Sequence, residues 1–137
     1  MNAIDYPTIS VGKHKDIVVR QTIAAEILIG RRGLSMATLG IDIHPWKVDR
    51  EGKNTAEPNP NSVANLITVF SCFVAENFID QDNPARVSLD TVPTADYWAC
   101  QIDDIGEVTR VVHAAIKKAL EARRAKLAAV PPVEQAS

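Results

Sequence analysis

Aromatic residues make up only 5% of the 137-residue chain, there are two cysteines, and no apolar run approaches the length of a membrane span. Each shortage excludes something. A membrane helix needs about 18 or more consecutive apolar residues, so none is expected. Two thiols cannot build a disulfide framework or a cysteine zinc site. Cys72 and Cys100 both lie in apolar helical contexts, where cysteine packs as a small hydrophobe, and both are expected to be buried. The start, Met1-Asn2-Ala3-Ile4-Asp5, lacks the basic and apolar regions of a signal peptide, so an intracellular protein is expected. Enzyme signatures are missing as well. We find no Gly-rich phosphate loop, no nucleophile elbow and no metal-spaced pair of His or Cys. His14, His44 and His113 fall in a turn, a loop and a helix and read as surface or half-buried histidines. Asp42-Ile43-His44 could place two ligands on one face of a strand, a common chance pattern. Asp80-x-Asp82 opens like a calcium loop, but Pro84 and Ala85 stand where a ligand and the required glycine belong. No metal, cofactor or catalytic residue is expected.

What is present is a globular composition, with 46% hydrophobic and 23% charged residues. A chain of this size can bury about two-thirds of its unfolded surface, which suffices for one domain, expected over 1–130. The net charge of -2 conceals segregation: residues 61–108 carry one basic and eight acidic side chains, and 109–137 carry six basic and two acidic ones. Such asymmetry marks a partner-binding tail; alternatively, the basic C-terminal helix lies on the acidic middle of its own chain. A pI near 5.9 argues against a dedicated nucleic-acid binder.

Along the chain, 7–11 and 16–20 are β-branched-rich, with Gly12-Lys13-His14-Lys15 as the turn, and predict a hairpin over 6–20. A helix is expected over about 22–32, capped by Thr22, burying Ile23, Ile27 and Leu28, and stopped at Gly33. Residues 30–42 have no clear assignment, and 44–62 read as a long loop. Asn59-Pro60 then signals a helix start. The strongest pattern follows: Val63, Leu66, Ile67, Phe70, Phe73, Val74 and Phe78 at helical spacing, predicting a central helix over about 61–79. A short extended segment is expected at 86–89 and a short helix at 94–101. A last helix over 104–128 opens with the capping-box-like pair Asp104 and Glu107. Ile105, Val108, Val112, Ile116, Ala119 and Leu120 line its apolar face, and its far end is expected to project from the body. Residues 131–137 read as a flexible tail. The fold class is mainly α with an N-terminal β-hairpin (α+β), with three to four helices around the central one.

Candidate partner contacts are the interface-favoured aromatics Trp46, Tyr97 and Trp98 and the basic cluster Lys117, Lys118, Arg123, Arg124 and Lys126. The competing reading for Tyr97 and Trp98 is an anchor in the core, and for the cluster a solvated helix face.

The strings Tyr6-Pro7-Thr8-Ile9-Ser10-Val11-Gly12, Val69-Phe70-Ser71-Cys72-Phe73-Val74-Ala75-Glu76-Asn77-Phe78 and Asp96-Tyr97-Trp98-Ala99, followed by a helix ending in basic residues, resemble the tail assembly chaperones of long-tailed bacteriophages. The resemblance covers most of residues 4–127. It implies a small, mainly helical, non-enzymatic protein of the infected cell's cytoplasm. It further implies binding to the phage tape-measure protein, possible contact with the tail-tube protein or a second copy, and departure before the virion is complete. A structural virion protein, a head-completion or tail subunit using its hairpin edges for strand addition, is the alternative.

Overall fold

In the computed structural model, which describes residues 6–79 and 88–129, the chain is an α+β, mainly helical fold. Strands β1 (Thr8–Val11) and β2 (His14–Val18) form the expected hairpin. Its turn is tighter than the sequence indicates, with Val11 opposite His14, so His14 belongs to the strand. The two-residue connection places Gly12 at φ +56°, a region that disfavours any side chain. Ile9, Val11 and Ile17 are buried, and so is Val19 just beyond β2.

Helix α1 (Ile23–Arg31) starts where expected, with Thr22 Oγ1 accepting from the Ala25 N–H. It stops where expected as well. Gly33 adopts φ +85°, the Gly33 N–H bonds Gly30 O and the Leu34 N–H bonds Ile29 O, a Schellman closure. Its buried face differs from the expectation. Ala25, Leu28 and Ile29 are inside, whereas Ile23 is 76% exposed and Ile27 is also exposed. Apolar residues surround this helix, and the face carrying small Ala25, which allows close approach, is the one that packs.

The unassigned stretch after Gly33 forms a Ser35-capped 3-10 turn (Met36–Thr38) and short helix α2 (Leu39–Asp42), which bury Leu39 and Ile43. Asp42 and His44 lie on no strand: Asp42 Oδ2 accepts from Thr38 Oγ1, and His44 Nδ1 bonds the Trp46 backbone. The expected loop over 44–62 is largely a second hairpin, β3 (Trp46–Val48) with β4 (Asn54–Pro58). Asp49 Oδ1 closes its turn by accepting from the Glu51 and Lys53 N–H groups. Its base is tied by Asn59 Nδ2, which donates to Asp42 O and His44 O. That use of Asn59 moves the following helix start from the expected Asn59-Pro60 to Asn61, and α3 runs over Ser62–Phe73.

Helix α3 is the centre of the fold and packs on α1, on α4 (Ala95–Ala99) and on α5 (Ile105–Ala129). Phe70, Phe73, Val69 and Cys72 are buried, while Val63 at its outer end is exposed. It ends at Phe73 rather than near 79, and a 3-10 turn (Ala75–Phe78) follows. The hairpin causes the break. The Arg20 N–H takes the Phe73 carbonyl, an orphan acceptor at a helix end. Asn77 exchanges hydrogen bonds with both backbone groups of Val18, which a continued helix would prevent. Leu89 lies in a 3-10 turn (Leu89–Thr91) rather than an extended segment. Residues 86 and 87, the Asp80-x-Asp82 pair and the 131–137 tail lie outside the described residues.

Helix α5 begins with Asp104 Oδ1 accepting from the Gly106 and Glu107 N–H groups. The reciprocal half of the capping box does not form, because the Glu107 carboxylate pairs with Arg110. Val108, Val111, Val112 and Ala115 are buried, but Ile105 is exposed and every side chain from Leu120 to Ala128 faces solvent. No helix among the described residues is long and apolar enough to cross a membrane.

Candidate interaction surface

The expected aromatic contacts divide on burial. Trp98 is 0% exposed, edge-on to Phe70 at 5.3 Å and packed with Phe78 and Tyr97. It is a core anchor and presents nothing to a partner, which corrects its candidacy. Tyr97 is half-buried, and its hydroxyl lies 2.6 Å from His14 Nε2, so it fastens the first hairpin to α4. Trp46 is 41% exposed on β3. None of these three residues lines a cavity shared with the basic cluster.

Cys72 is buried as expected, but Cys100 is exposed. Burial pushes the Cys72 thiol up, against the nearby Arg32 guanidinium and the Ser71 hydroxyl, which favour the thiolate. Arg32 donates to Ser71 Oγ and lies 3.8 Å from the Cys72 sulfur. This cluster locks the end of α1 onto α3, and its thiol is a poor nucleophile. Among the described residues no three His, Cys, Asp or Glu side chains are grouped to hold a metal ion.

Beside the basic cluster lie Ile23, Leu120 and Leu127, three of the exposed large apolar side chains. Beyond Ile116 α5 leaves the core, and an open groove of about 790 Å³ runs between it and the start of α1. Ile23, Ala115, Ala119 and Ala122 form its floor. Arg20, Lys118, Arg123 and Lys126 stand along it with one carboxylate, Glu26. Arg123 Nη2 reaches both Glu26 oxygens at 3.0 Å, joining the two walls. A second groove, of about 280 Å³, follows the other flank of α5 and is lined by Met36, Leu39, Ile43, Ile116, Leu120 and again Arg123. Lys117 and Arg124 are exposed on α5 but line neither groove.

The structure therefore brings together Lys118, Arg123 and Lys126 and adds Ile23, Glu26, Ala119 and Ala122, none of which the sequence marks as a partner contact. The helical spacing of the sequence places Ile23 in the core. Its alternation with Ala25 on a helix apolar all round was the available signal that one face would remain uncovered. Helix α5 does pack on α3, inside the acidic middle, but with its apolar face; among the described residues its basic cluster forms no ion pair with that segment. Arg123 pairs with Glu26 of α1, while Glu76 and Asp90 of the acidic segment pair with Arg20 and Arg31. Asp103, Asp104 and Glu107 sit at the opposite end of α5, about 25 Å away at 1.5 Å per residue.

Compared with known proteins, the chain matches no family model, no curated protein and no solved structure.

Proposed function

We propose that this chain is a non-enzymatic tail assembly chaperone of a long-tailed bacteriophage, acting in the host cytoplasm on the tape-measure protein. The observation that carries the reading is the uncovered half of α5, flanked on both sides by apolar grooves and edged with cations. A tape-measure chain exposes long helical apolar faces before the tail tube encloses it. An apolar groove beside a projecting helix is a suitable receptor for such a face. A partner that covers that face holds the soluble form by mass action. The resemblance of residues 4–127 supplies the identity of the partner, and contact with the tail-tube protein or a second copy belongs to the same proposal. The test is quantitative mass spectrometry of density-purified particles against the lysate they came from. Abundance in the lysate with near-total absence from particles is expected.

A second reading rests on a different observation. Hairpin β3–β4 has an entirely exposed β4 and carries the exposed Trp46, so its edges are open to strand addition. A structural virion subunit would use them and remain in the particle. A stoichiometric share in purified particles would establish that reading and overturn the chaperone.

A further inference from the structure

The groove between α1 and α5 carries four cationic side chains, and two of them are already neutralised within the chain: Arg20 by Glu76 at 3.6 Å, and Arg123 by Glu26 at 3.0 Å. The Arg123 pair differs from an ordinary surface bridge in its placement. Both partners line the same groove, and the guanidinium meets both carboxylate oxygens across it. We propose that Glu26 is an internal stand-in for a partner carboxylate. The groove takes an amphipathic helix bearing acidic residues beside its apolar stripe, and one of those residues displaces Glu26 from Arg123. This rests on the reading that the groove receives a helical segment of a protein partner, and it specifies the chemistry of that segment.

Three features favour this occupant. Ala119 and Ala122 lie at helical spacing on one wall, just beyond the buried Ala115, and small side chains let a second helix approach closely. Ile23, which faces them, is largely uncovered and supplies an apolar contact for the incoming stripe. Lys118 and Lys126 add charge on the α5 wall and form no ion pair among the described residues. An acidic helix would meet Lys118, Lys126 and the planar fork of Arg123, which binds any carboxylate in the same bidentate geometry. Exchange of one carboxylate for another on an exposed guanidinium meets little resistance, because such pairs are weak in water. A basic helix would face like charge along the whole α5 wall.

The experiment uses the full chain and a defined probe: an acetylated 18-residue helical peptide with leucines at i, i+3, i+4 and i+7 and glutamates on both flanks. A second peptide carries lysines in place of the glutamates. Binding is read by fluorescence anisotropy. The glutamate peptide is expected to bind and the lysine peptide not, with affinity falling as salt shortens the screening length. Glu26→Gln should tighten binding about two- to five-fold, the value of one exposed ion pair, and Arg123→Met should weaken it. The opposite signs matter, since a merely structural role for the pair would move both variants the same way. Lys118→Glu with Lys126→Glu, a variant whose fold is checked by its thermal melt because Lys118 is half-buried, should weaken binding about ten-fold or more. Equal binding of the two peptides, or a Glu26→Gln affinity unchanged or weaker, would overturn the proposal. If those results came with tape-measure association intact, the chaperone reading would stand without this site. Peptide binding as described without tape-measure association would support the groove chemistry and remove the chaperone reading.

Discussion

Between Ile105 and Ala115, helix α5 turns Val108, Val111, Val112 and Ala115 into the core against α3 and β1. From Leu120 to Ala128 the same helix has no buried side chain. The backbone is continuous and the helix propensity of Glu121-Ala122-Arg123-Arg124-Ala125-Lys126 is high, so the change concerns what surrounds the helix. The first half is held by tertiary packing. The second is held by propensity, by basic side chains near the negative end of the helix dipole and by the Arg123–Glu26 bridge. Stability belongs to the first half and availability to the second. In the proposed role, this separation lets the partner-binding half of the rod change without unfolding the protein.

The comparison breaks most readily at the core. Trp98→Ala or Phe70→Ala should cost about 3–5 kcal/mol in urea unfolding, because both rings are fully buried. Within α5, Val112→Ala should cost about 2 kcal/mol, from two methyl groups and the cavity they leave. Leu127→Ala, at a position 74% exposed, should cost less than about 0.5 kcal/mol. Similar costs at 112 and 127 would show that the outer half is packed after all. An effect between these two is expected at the hairpin anchor. Tyr97→Phe removes the bond to His14 and should cost about 1 kcal/mol, measured the same way.

Thiol chemistry sharpens the picture of the core. One thiol, Cys100, should react rapidly with a disulfide reagent in the native protein, and Cys72 should react only as the protein opens. Burial raises the Cys72 thiol in the folded chain, so on raising the pH the unfolded chain loses this proton first. Stability from this group is therefore complete below the ordinary thiol range and declines as pH rises through it. Cys72→Ser should flatten that alkaline decline in a series of denaturant melts. An unchanged slope would contradict the assignment.

The parts that could be read from the sequence were those with local causes. The β-branched-rich runs 7–11 and 16–20 around Gly12-Lys13-His14-Lys15 mark the first hairpin, and the Asp104 cap with Val108 and Val112 at helical spacing marks α5. The parts that could not were decided by distant groups or carried no periodic signal. Strands β3 and β4 are built from residues such as Lys47, Asn54, Thr55 and Glu57, polar on both faces, so alternation had nothing to show. Asp49 and Gly52 gave the turn, but no apolar strands flanked it. Helix α3 stops at Phe73 because Arg20 and Asn77 tie that point to the hairpin, a contact between segments more than fifty residues apart. Trp98 shows the limit of composition as a guide to interfaces, since the residue type most favoured there is here the largest fully buried side chain. Of the candidate surface, the basic residues of α5 could be read directly. Its apolar floor could not, because Ile23 counts equally well toward either face of α1.

The most direct measurement is the fraction of the phage's tape-measure protein that stays soluble when co-expressed with this chain or with its Ile23→Asp, Ala122→Asp variant. Both substituted positions lie on the groove floor outside the buried core, so the variant should melt like the wild type. The result expected is a soluble tape-measure protein with the wild type and an aggregated one with the variant. Equal solubility with both, or aggregation with both, would contradict the assignment of this groove to the chaperone function.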